Sequence, residues 1–181
     1  NSSIVSSGCG TGQKEAELYR AGYHNIIAFD FSKTAISMAK ASNRDAKIDF
    51  QVNNTLNMTK GLRKKMSKSD VWVDWMSMHN MNREQQVKSA KQITSLDPHF
   101  LIFRTFSKLD PEYKQKRRGL LDSILPGIYR HFSNLEEIKT LFPNYSAIKL
   151  LNDKPKSSKK FIDARAAAKI TVLMINMKYK V

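Results

Sequence analysis

The chain is short of cysteine, of long apolar runs and of acids, and each shortage removes a class of protein. Among its 181 residues there is one cysteine, Cys9, so no internal disulfide can form, which agrees with a reducing cytoplasm. No apolar run approaches the roughly 18 residues needed to cross a bilayer, so no membrane-spanning helix is expected. Residues 1–12 lack the basic start and long apolar stretch of a secretory signal. His24, His79, His99 and His131 show no metal-ligand spacing with Cys9 or with carboxylates, so no metal is expected. Acids are outnumbered, 16 Asp+Glu against 31 Lys+Arg, leaving a formal charge of +15. A field of that sign draws nucleic acid, anionic membrane or acidic substrates. Few aromatics interleave with the basic clusters at 60–68, 114–118 and 154–160, as a stacking platform for single strands would require. Weak, non-specific nucleic-acid binding by solvated lysines is therefore the expectation.

What is present suits one globular domain: 41% hydrophobic residues with 26% charged. Short apolar runs alternate with amphipathic segments, which predicts an α/β fold with a mostly parallel sheet. Strands are expected at 4–5, 26–29, 48–52, 71–75 and 99–106. Helices are expected over 13–21, closed by Gly22, over 33–41, capped by Ser32, and over 58–66 and 82–94. A further helix over 135–142, capped by Ser133 or Asn134, stops at Pro143. The charged segment 107–133 reads as an insertion over the carboxyl ends of the strands. Two late strands near 147–151 and 170–177, joined by a lysine-rich turn at 154–160, predict an antiparallel hairpin at one edge.

The chemistry centres on Ser6-Ser7-Gly8-Cys9-Gly10-Thr11-Gly12, between the first strand and the first helix. Three alternating glycines let a backbone turn tightly and approach a ligand without a Cβ in the way. The helix that follows offers free N–H groups and a positive dipole end. Asp30 ends the second strand, where a carboxylate can accept both hydroxyls of a ribose. The dinucleotide fingerprint G-x-G-x-x-G places two residues before its last glycine; this loop places one, which argues against a dehydrogenase.

The run from Gly8 to Gly12, then Phe29-Asp30-Phe31-Ser32 with Ala35, Ile36 and Ala39, resembles the first two motifs of class I S-adenosylmethionine-dependent methyltransferases of the small-molecule type. Asp70-Val71-Trp72-Val73 through Met78-His79-Asn80 and Leu101-Ile102-Phe103-Arg104 look like that family's fourth and fifth strands, and Tyr129 to Phe142 is similar to a segment of its small-molecule members. The resemblance implies a seven-stranded, mostly parallel, doubly wound sheet with helices on both faces. It implies S-adenosylmethionine as cofactor, held by Ser6, Gly8, Cys9, Gly10, Thr11, Gly12, Asp30, Phe31, Ser32, Asn53, Asn54, Thr55, Asp74, Trp75 and Met76. Two positions depart from the family. It usually has an acid where Ser6 stands, and another acid after the third strand, where Asn54, rather than Asn53, is the expected reader of the adenine amine.

Methyl transfer asks the protein to position a nucleophile and remove its proton. His79, just beyond the fourth strand, is the candidate general base, weighed against a packing role. The Asn/Asp-Pro-Pro-aromatic segment of amino methyltransferases acting on bases is missing; Asp74-Trp75-Met76-Ser77 stands in its place. Cytosine C5 methylation needs a cysteine nucleophile, and Cys9 reads as a small buried residue within the loop. Trp72, Trp75, Met76 and Met78 read first as core and second as a cofactor or substrate wall. The expected activity is methylation of a small-molecule acceptor, with an RNA methyltransferase or a catalytically degenerate module as alternatives. A homodimer is a candidate assembly. The glycine loop starts at Gly8, so the domain is also expected to lack the helices that precede strand one in the family, leaving an apolar patch beside Ile4 and Val5.

Overall fold

The computed structural model describes residues 2–67, 69–109, 131–153 and 169–179. Strands β1 (Ser3–Ser7), β2 (Asn25–Asp30), β3 (Asp49–Val52), β4 (Val71–Trp75) and β5 (Phe100–Ser107) run parallel to one another. At the far edge β8 (Lys169–Asn176) lies antiparallel to β5, and β7 (Tyr145–Asp153) antiparallel to β8. The sheet order is β3-β2-β1-β4-β5-β8-β7. The parallel part and the antiparallel edge hairpin are as expected. An eighth strand is added: β6 (Phe132–Ser133) pairs parallel with β5 through Phe106 and Ser107. Both phenylalanines are buried, their ring centroids 5.5 Å apart, so apolar packing draws this end of the 107–133 segment onto the sheet. The interior of that segment, 110–130, and the lysine-rich turn at 154–160 lie outside the described residues.

Helices α1 (Gln13–Arg20) and α2 (Lys33–Ser42) cover one face through the clusters around Ile4, Ile26 and Ala28. Helices α3 (Lys60–Met66), α4 (Arg83–Thr94) and α5 (Leu135–Leu141) cover the other, around Val5, Phe29, Trp72 and Leu101. Short polar side chains fix where α2, α3, α4 and α5 begin. Ser32 accepts from the Ala35 N–H, Thr59 from Leu62, Asn82 from Gln85 and Asn134 from Glu137. In α4 and α5 the third helical residue, Gln85 or Glu137, returns a bond from its side chain to the cap N–H. Each such cap contributes about 1 kcal/mol.

The apolar residues of β1 are covered by this chain itself. Ile4 and Val5 are 5% and 1% exposed, Ile4 packing in the cluster that includes Leu18 and Tyr19 of α1. Half-buried apolar residues of that face begin on the neighbouring strand with Val71, the register partner of Ile4, and continue at Trp75 and Ile102.

Candidate active site

The parallel strands end on one side of the sheet, where the glycine loop leaves β1. Gly8, Gly10 and Gly12 have φ of 67°, 55° and 76°, a region that side chains with a Cβ enter only under strain. The loop is tied down by the Phe29 carbonyl, which accepts from the Gly8 N–H at 2.8 Å and from Cys9 at 3.1 Å. The three glycines serve different ends. A Cβ at Gly8 would overlap the Cβ of Ser77, and one at Gly12 would sit 2.7 Å from Cζ of Phe50. Of the three, Gly10 faces open space, a Cβ there meeting nothing within 4 Å among the described residues. At Gly8 and Gly12 the chain packs on itself too closely for a Cβ, whereas at Gly10 the left-handed φ is what favours glycine.

Asp30 is held beside that opening. Its Oδ2 accepts from the Gly10 N–H at 3.0 Å and its Oδ1 from the Ser32 N–H at 2.9 Å. Each carboxylate oxygen has capacity for a further bond. A cavity of about 570 Å³ opens here, lined by Gly8, Phe29, Asp30, Phe31, Asn53, Asn54, Thr55, Leu56, Met76, Ser77, Asn80, Met81 and Gln85. Phe31 is 76% exposed, a large apolar surface left bare at the cavity wall. Asn53 is buried and spends its amide inside the turn, donating to Thr59 Oγ1 at 3.1 Å and accepting from the Asn54 N–H at 2.9 Å. Asn54 is exposed, and its side-chain carbonyl accepts from the Leu56 N–H at 2.9 Å.

The loop after β4 is shaped by Asp74, which is 1% exposed. Its Oδ1 accepts from the Ser77 N–H at 2.8 Å, and its Oδ2 accepts from the hydroxyls of Ser77 and Ser7. Burial pushes the Asp74 carboxyl above the usual range, against the pull of the Ser77 bonds. This anchoring drives Met76 to φ 74°, a strained value for a residue with a Cβ. Met76 is thereby turned toward the cavity, while Trp72 and Met78 join the core.

Of the residues expected from sequence, Gly8, Asp30, Phe31, Asn53, Asn54, Thr55 and Met76 line the cavity. Ser6, Cys9, Gly10, Thr11, Gly12, Ser32, Asp74 and Trp75 do not line it. Burial, with the carboxylates of Glu15 and Asp30 nearby, pushes the Cys9 thiol up, which keeps it protonated. His79 is buried in the 3-10 turn of Met78–Asn80, its ring edge-on to Phe106 at 4.8 Å, and does not line the cavity. Phe29 of β2 lines it unforeseen, and so do Leu56, Ser77, Asn80, Met81 and Gln85. For the latter the signal was positional: they follow β3 and β4, and ligands of open parallel sheets sit outside the carboxyl ends of the strands.

Glycine loop, Asp30 and cavity at the carboxyl ends of a doubly wound sheet define a protein built for a nucleoside-containing ligand. A family model described as "Methyltransferase domain" matches residues 4–96, and the chain belongs to that family. A search of the curated proteins finds no match. Among solved structures, the chain is similar to a SAM-dependent methyltransferase from Anabaena variabilis, with TM-score 0.76 and 16% identity over 97% of this chain and 77% of that one. It is similar to the magnesium protoporphyrin IX methyltransferase of Synechocystis with bound SAH, with TM-score 0.74 and 14% identity over 97% and 74%. The N-methyltransferase NodS of Bradyrhizobium japonicum, in complex with S-adenosyl-L-homocysteine, matches with TM-score 0.68 and 13% identity over 97% and 78%. At these identities the likeness is one of fold.

Proposed function

We propose that this methyltransferase uses S-adenosylmethionine to methylate a small-molecule acceptor. The observation that carries the reading is Asp30, a carboxylate fixed by two backbone N–H groups at the wall of the cavity, beside a glycine with open space over it. These residues fit the cofactor. Asp30 would accept the ribose hydroxyls, Phe31 would lie against the adenine, and Asn54 would accept from its amine. The cofactor supplies a methyl group on a sulfonium, already a good leaving group. The chain's share is to hold the reactants in line, to exclude water and to take up a proton. His79 is the proposed base, supported by its place next to the cavity-lining Asn80. The test is calorimetry with S-adenosylhomocysteine together with a thermal melt; no heat and no shift at high ligand concentration would overturn the cofactor reading.

A second reading, methylation of RNA, draws on α3, where Lys60, Arg63, Lys64 and Lys65 stand without an acid in the helix. The lack of interleaved aromatics and the apolar wall of Phe31, Leu56, Met76 and Met81 favour a small acceptor. A cytoplasmic setting is supported only by the single cysteine. No described helix is long and apolar enough to cross a membrane. A homodimer finds support in the half-buried Val71 and Ile102, and sedimentation would test it.

A further inference from the structure

Position 6, where the resembling family carries an acid, is a serine here, yet the ground beneath the loop is not without a carboxyl group. Glu15, in the first turn of α1, is 0% exposed and accepts from the Ser6 hydroxyl at 2.6 Å through Oε1. Its Oε2 is buried with no hydrogen-bond partner among the described residues. A buried carboxylate is ordinarily matched by a cation or by several donors. Lys14, its neighbour in sequence, pairs instead with Glu17 at 2.8 Å.

A plain structural use of Glu15 is at hand, and the fold does not take it. Glu15 is the third residue of α1, the place from which Gln85 in α4 and Glu137 in α5 reach back to the N-cap N–H. In α1 the cap is Gly12, whose N–H goes to the Cys9 carbonyl, and Glu15 turns inward to β1. Its charge reaches the loop, since it is one of the groups holding up the Cys9 thiol. A second orphan lies on the same face of the sheet. Trp75, two residues beyond Val73, the β4 partner of Ser6, has a buried indole N–H with no partner among the described residues. An acceptor and a donor left open on one face match the two ends of an amino-acid zwitterion.

We propose that Glu15 receives the ammonium of the cofactor's methionine end, so that helix α1 supplies the acid that strand β1 lacks at Ser6. The inference rests on the S-adenosylmethionine reading above. In the buried setting a carboxylate–ammonium pair is strong, and the ammonium is the missing second partner for the carboxyl group. Trp75 acts with it, donating to the carboxylate of the same end.

Two probes separate this role from a structural one: S-adenosylhomocysteine, and 5′-methylthioadenosine, which keeps the adenosine and thioether but lacks the amino-acid group. By calorimetry at pH 7.5, Glu15→Gln should weaken S-adenosylhomocysteine at least tenfold and leave methylthioadenosine within twofold. Equal weakening of both probes, or none, overturns the proposal and leaves the cofactor reading standing. If the wild type binds neither probe, the cofactor reading falls and the proposal with it. Should Glu15→Gln fail to fold, the wild type serves. The groups facing Glu15 are Ser6, Lys14, Glu17 and Cys9. S-adenosylhomocysteine affinity should fall between pH 7.5 and 5 relative to methylthioadenosine, because Asp30 serves both probes alike; parallel pH profiles overturn the proposal.

Discussion

Gly8 and Ser77 are packed so closely that a Cβ at position 8 would overlap the Cβ of Ser77. The contact joins the loop after β1 to the loop after β4, and Asp74 fixes the Ser77 side of it. The loop proposed to hold the cofactor is thus braced by the chain itself.

Gly8→Ala tests that brace. The substitution meets both the overlap with Ser77 and a φ of 67°, so a destabilisation of roughly 1–3 kcal/mol is expected, the scale of backbone strain at such a residue. Gly10→Ala carries the strain of φ 55° without the overlap and should cost less stability. Urea denaturation of the two variants decides it; equal losses would mean that the Ser77 contact does not matter.

Asp30→Ala should weaken S-adenosylhomocysteine by about 1.5–3 kcal/mol, the range for hydrogen bonds to a charged group. The loss includes loosening of Gly10 and Ser32, whose N–H groups Asp30 accepts. Unchanged affinity in calorimetry would show that the ribose lies elsewhere.

Acid should act on Glu15 in the opposite sense to most carboxylates. Burial, opposed by the Ser6 bond, raises its pKa in the folded protein. A carboxyl raised on folding adds stability that is fully present below its unfolded pKa, near 4.3, and is lost as pH rises through the folded value. Asp70, held low by the Ser3 bonds, and Asp97, held low by Lys178, lose stability as pH falls, so the wild-type curve alone is ambiguous. The stability difference between wild type and Glu15→Gln cancels those groups. It should move in favour of wild type as pH is lowered from 7.5 toward 4.5, and a flat difference in denaturant melts would contradict the raised pKa.

Binding to RNA should be weak and steeply dependent on salt. Lys60, Lys64, Lys88 and Lys91 are exposed on α3 and α4 without aromatic neighbours in the pattern of a stacking surface. Gel shifts at physiological salt should give a Kd of roughly 10⁻⁶–10⁻⁴ M without sequence preference. Specific binding tighter than about 10⁻⁸ M would favour the RNA reading over the small acceptor.

The alternation of short apolar runs with capped amphipathic segments determined the order of strands and helices, because periodicity, caps and turn residues act within a few neighbours. Ser32, Asn82 and Asn134 begin their helices as their sequence positions imply, and the glycine loop and Asp30 meet as their place after adjacent strands requires. Tertiary structure alone decided which glycine is open, because Ser77 and Phe50 come from distant parts of the chain. It decided that Met76 lines the cavity while Met78 is core, since the buried bonds of Asp74 reset the backbone between them. It also decided that the carboxyl group beneath the loop comes from Glu15. In sequence Glu15 is one more polar residue of a surface helix; only the docking of α1 on β1 carries it against Ser6, and no local pattern records across which strand a helix will lie.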